Sequence, residues 1–66
     1  MQAAIALPAV PTGKIKSFGE FGEPYEVGQP VRQLENGEWM VGITLIKTGE
    51  KTEYRLSRML LDPDAI

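Results

Sequence analysis

The segment WMVGITLI, residues 39–46, constrains the fold more than any other part of the chain. Trp39, Val41, Ile43 and Leu45 alternate with Met40, Gly42, Thr44 and Ile46, which is the period of a strand with one buried face. Thr48-Gly49 and a second run, Lys51 to Leu56, follow, so the segment reads as the first arm of a hairpin. A two-residue loop at Thr48-Gly49 pairs Leu45 with Thr52, Ile43 with Tyr54 and Val41 with Leu56, all on one face. Thr44 then lies across from Glu53 and Gly42 across from Arg55. A slip of one residue would turn the second arm inside out, so the pattern is expected to pin the register.

The remaining segments read as further short strands. Lys14 to Phe18 is a first strand, Pro24 to Val27 a second, Gly28-Gln29-Pro30 a turn and Val31 to Leu34 a third. Asn36-Gly37 is a hairpin turn, since both residues tolerate positive φ. Neither a two- nor a three-residue loop there puts both Leu34 and Val31 on the face of Trp39 and Val41, so a bulge or strong twist is expected. Ser57 is placed to cap one or two helical turns ending before Pro63, with Met59 and Leu60 over an open end of the sheet. The fold class is therefore mostly β. It is a small SH3-like barrel or a curled antiparallel sheet of four to five strands, with one short C-terminal helical turn.

Sixty-six residues make one small domain, here residues 13–66. It is preceded by an Ala/Pro-rich leader, residues 1–12, in which Pro8 and Pro11 stop a helix and mobility is expected. The leader lacks the basic start of a signal peptide and is too short to cross a bilayer. With no cysteine, the chain fits a reducing cytoplasm, and with no histidine it lacks the commonest general base and zinc ligand. The net charge of −2 and the scattering of seven bases argue against nucleic acid and against a membrane-surface patch.

Phe18 to Val27, FGEFGEPYEV, doubles a Phe-Gly-Glu triplet. A phosphate cradle would need a helix or a Lys-Ser/Thr pair next, and Pro24-Tyr25 continues as strand with Glu20 and Glu23 beside any anion. The backbone reading is a corner, with Gly19 and Gly22 supplying positive φ. Phe18 and Trp39 are core candidates, because a small domain draws its buried area from its aromatics. Phe21, at the loop tip, is the ambiguous ring, either corner packing or a binding platform with Tyr25, edged by Glu20 and Glu23.

The nine acids sit at turns or alternate on strands rather than facing one another, and Asp62-Pro63-Asp64 lacks the spacing of a calcium loop. Ser57 has no histidine to activate it. The expectation is a non-enzyme with no metal and no cofactor.

Gly13-x-Ile15-x-x-Phe18-Gly19-x-x-Gly22-x-x-Tyr25-Glu26-Val27, with Thr48-Gly49-Glu50, Tyr54 and the closing Asp62-Pro63, resembles a family of small bacterial proteins catalogued as a domain of unknown function. The resemblance covers Gly13 to Ala65 and rests on turn and core residues. It implies a bacterial, stand-alone small protein and brings no site residues with it.

The leading functional expectation is a cytoplasmic protein-interaction or small accessory module that meets a protein partner through Phe21 and Tyr25, rimmed by Glu20 and Glu23. The alternatives are a small nucleic-acid-binding barrel, with Lys14 and Lys16 sharing a side, and an antitoxin-like neutraliser of a partner encoded alongside. Homodimerisation by edge pairing is open, since few charges guard the first strand.

Overall fold

A computed structural model describes residues 7–65. Four strands, β1 (Ile15–Ser17), β2 (Pro24–Gln33), β3 (Trp39–Leu45) and β4 (Lys51–Arg55), form an antiparallel meander in the order β1-β2-β3-β4. One helical turn, α1 (Leu56–Met59), follows β4 directly. The fold is an open, curled sheet rather than a closed barrel, because β1 and β4 remain its two outer strands.

Alternation decides which side is buried. Tyr25 and Val27 of β2 and Val41 and Ile43 of β3 face inward, and Met59 of α1 closes over them; all five are buried. Val10, Phe18, Leu45, Tyr54 and Leu56 pack around that cluster. Among the described residues, none forms a second layer on the opposite face.

The β3–β4 hairpin keeps its predicted face but not its predicted register. Ile43 lies across from Thr52, Val41 from Tyr54, Gly42 from Glu53 and Thr44 from Lys51, a shift of two residues. The cause is a longer loop, Ile46 to Gly49, closed by Leu45 N–H to Glu50 O (2.8 Å) and Gly49 N–H to Leu45 O (2.7 Å). A shift of two leaves every side chain on its original face, so hydrophobic alternation is blind to it.

Gly28-Gln29-Pro30 is not a turn. It stays inside β2, which runs unbroken from Pro24 to Gln33 and absorbs two register shifts, one between Val27 and Pro30 and one between Pro30 and Arg32. These are the expected bulges, located in the strand while the Glu35–Gly37 loop closes through Leu34 N–H to Glu38 O (2.7 Å). They put Pro30 across from Val41, and Val31 turns outward. Gly28 is needed at the first bulge, since a Cβ there would come within 2.7 Å of the Gly42 carbonyl oxygen.

Ser57 does not cap α1. Arg55 holds the cap position without a capping bond, and the Glu38 carboxylate receives both Ser57 N–H (3.2 Å) and Ser57 Oγ (2.8 Å) from across the chain. Those bonds, the side-chain one first, hold the Glu38 carboxyl below the usual carboxylate range. Met59 is buried as expected, whereas Leu60 is 59% exposed because the turn ends beside it.

The leader is only partly described, since residues 1–6 lie outside the described residues. Its second half is held to the sheet: Val10 packs on the core, Thr12 Oγ1 donates to Gly28 O (2.8 Å) and Gly13 N–H to Val27 O (2.8 Å). The edge of β1 is also covered. Ser17 N–H donates to Pro63 O (3.1 Å) and Ala65 N–H to Ile15 O (2.8 Å), so the C-terminal tail runs antiparallel beside it. The uncovered edge is β4, where Lys51, Glu53 and Arg55 are exposed.

Candidate functional site

Two neighbouring regions carry the polar and aromatic groups singled out by the sequence: the corner between β1 and β2, and the tail that lies beside it. The corner is closed by Phe18 N–H to Glu23 O (3.1 Å), leaving Gly19 to Gly22 as its loop. Gly19 has the expected positive φ of 71°. Gly22 does not, and it is glycine for another reason. A Cβ there would fall 1.8 Å from the Phe18 carbonyl oxygen, so the corner closes only with a bare backbone at this point.

That tight closure separates the two phenylalanines. Phe18 turns inward against Tyr25, with ring centroids 4.5 Å apart, and stands edge-on to Tyr54 at 5.1 Å. Phe21 is thrown outward and is 95% exposed. Glu20 and Glu23 are exposed on either side of it, and Glu23 pairs with Lys47 at 2.9 Å.

Tyr25 does not join them at the surface. Its position in β2, one residue after the outward Pro24, directs it to the inner face, where it is fully buried. A tyrosine can be buried there because its hydroxyl is satisfied: it donates to Asp62 Oδ2 at 2.7 Å. The predicted four-residue platform therefore divides into three exposed residues, Glu20, Phe21 and Glu23, and one core residue, Tyr25.

Asp62 is the residue whose part the sequence reading missed. Its Oδ2 also accepts from the Tyr54 hydroxyl (3.0 Å), and its Oδ1 accepts from Gly19 N–H (3.1 Å). Its backbone carbonyl accepts from Lys16 Nζ (2.7 Å), and Lys16, itself buried, also pairs with Asp64 at 3.4 Å. One short side chain thus ties the tail to β2, β4 and the corner, and the backbone carbonyl of the same residue ties it to β1. Burial first, then the bonds to Asp62, push both tyrosine hydroxyls above the usual phenol range, so both are donors. The signal in the sequence was Asp62-Pro63, which reads locally only as a helix stop.

The tail builds one wall of a furrow on the outer sheet face. Ser17 lies across from Pro24, Ile46 N–H donates to Pro24 O (3.2 Å), and Pro63 and Ala65 flank β1 on its far side. The furrow, about 680 Å³, runs across these strands beneath Glu20 and Gly22 of the corner. Among the described residues no group of three acidic side chains is arranged to hold a metal ion, and no helix is long and apolar enough to cross a membrane.

An open four-stranded meander, a buried tyrosine pair locked by a tail aspartate and a glycine-closed corner with one outward ring define the class of small domain to which this chain belongs. The chain is a member of a family of unknown function, DUF5397, whose pattern matches residues 3–66. It is similar to an uncharacterized protein of Haemophilus influenzae, 54% identical over 56 residues that cover 85% of this chain and 89% of the relative.

Proposed function

We propose that the protein is a non-enzymatic, cytoplasmic protein-interaction module that engages a protein partner through the β1–β2 corner. The observation that carries this reading is Phe21. A chain with two phenylalanines holds one in its core and presents the other almost wholly to solvent, on a loop tied at both ends to the sheet. An aromatic ring held on a rigid turn is a contact that loses little entropy on binding, and acids beside it select the partner's charge.

The polar cluster at Asp62 supports the same reading. Tyr25 is buried, and both tyrosine hydroxyls are engaged in holding the tail. Four of the seven bases, Lys14, Lys16, Arg32 and Lys47, are paired with acids of the chain, which leaves little charge for phosphates and weakens the nucleic-acid alternative.

The test is affinity capture of the tagged chain and its Phe21→Ala variant from the organism that encodes it, with and without nuclease. One dominant protein that survives nuclease and is lost with Phe21→Ala supports the reading. Capture that disappears with nuclease would replace it by nucleic-acid binding.

A further inference from the structure

We propose that the furrow on the outer sheet face is a docking groove for a linear segment of a partner protein, one that carries an aliphatic side chain next to a lysine or arginine. This rests on the interaction reading and names the chemistry of the partner. The floor is apolar: Ile15, Pro24, Ile46 and Ala65 line it, and Ile46 is 46% exposed. An aliphatic group placed there removes apolar surface from water on both sides.

The unpaired charge around the floor has one sign. Glu20 lines it and Glu26 lies directly across from Ile15 in the β1–β2 register, on the same face. Neither has an ion-pair partner among the described residues. The nearby bases are committed elsewhere: Lys47 to Glu23, and Lys14 and Lys16 to the Asp64 carboxylate. Lys51, across from Thr44, is separated from Glu26 by a strand. A cation beside the floor therefore meets two acids with no competing base between them. A second copy docked face to face would bring four unpaired acids, Glu20 and Glu26 of each copy, to one interface, which opposes self-association through this surface.

The volume exceeds that of any single side chain, and the groove is open along its length, so it accepts a chain segment rather than one inserted residue. The tail wall stands where it does because Asp62 and Lys16 hold it, which means the groove is preformed.

The experiment is selection of phage-displayed random linear peptides on the immobilised full chain, followed by fluorescence anisotropy with one labelled winner. Selected peptides are expected to carry Lys or Arg beside Leu, Ile or Val. Ile46→Asp should weaken binding by roughly tenfold or more without lowering the melting temperature, and Glu20→Lys by roughly threefold, while Leu60→Ser leaves it unchanged. An empty selection, acidic winners, or winners indifferent to Ile46→Asp would overturn the groove. Binding lost with Phe21→Ala but kept with Ile46→Asp would overturn it too, and leave the corner reading standing. A dimer in sedimentation that Ile46→Asp dissociates would assign the surface to a second copy instead.

Discussion

Phe18 and Phe21 open two copies of the same triplet, Phe-Gly-Glu, and have opposite fates. Phe18 is packed against two tyrosines, on the side of the sheet where Asp62 ties four elements together. Phe21 stands in water at the corner beside the outer face, over which no described residue forms a second layer. The closed region spends its polar groups on one another, and the open region leaves Glu20 and Glu26 without ion-pair partners among the described residues. The difference teaches that a residue's local sequence sets what it is able to do, whereas the backbone path sets which side it serves. The described residues cover one face of the sheet, so the other is where a partner has room.

The strongest way to break the comparison is at its closed end. Tyr25→Ala removes a fully buried ring and should cost about 3–5 kcal/mol, comparable to the entire stability of a domain this size. Urea unfolding followed by circular dichroism should find the variant unfolded at neutral pH. Asp62→Asn comes next, since it leaves two tyrosine hydroxyls and the Gly19 N–H competing for one carbonyl, at about 2–3 kcal/mol. Its amide exchange should rise first in Ser17 and Ala65, whose N–H groups depend on the tail staying beside β1.

The same clamp gives an alkaline limit. Folding raises both tyrosine pKa values, so their contribution is fully present below about pH 10 and is lost as pH climbs toward the folded-state values. Tyr54→Phe should flatten the fall in melting temperature above that pH; an unchanged slope would show that the hydroxyl is not held as described.

Gly22→Ala tests the boundary between the two regions. Its methyl collides with the Phe18 carbonyl oxygen, and opening the corner should cost about 2 kcal/mol, read as a lowered urea midpoint. At the open end, Phe21→Ala should change stability by no more than about 0.5 kcal/mol. A loss near that of Tyr25→Ala would place Phe21 in the core and end the comparison.

The sequence by itself determined which residues face which way in β3 and β4, because alternation of period two is a local property and survives any even shift in pairing. It also located the two turns by Gly37 and Gly49, both at positive φ, although Asn36 does not share that conformation and both loops are longer than the two residues expected. The tertiary structure set the register, since loops that differ by two residues leave the alternation unchanged. It alone kept Gly28-Gln29-Pro30 within β2, where a close approach to Gly42 turns a turn-like triplet into a bulge. Ser57 lost its expected capping role for a similar reason: its N–H and hydroxyl both donate to the carboxylate of Glu38, distant in sequence and near in space. Tyr25 moved from the predicted platform to the core because Asp62, far along the chain, satisfies its hydroxyl. Contacts between distant residues arise only once the chain has folded, and the closed side of this molecule is made of them.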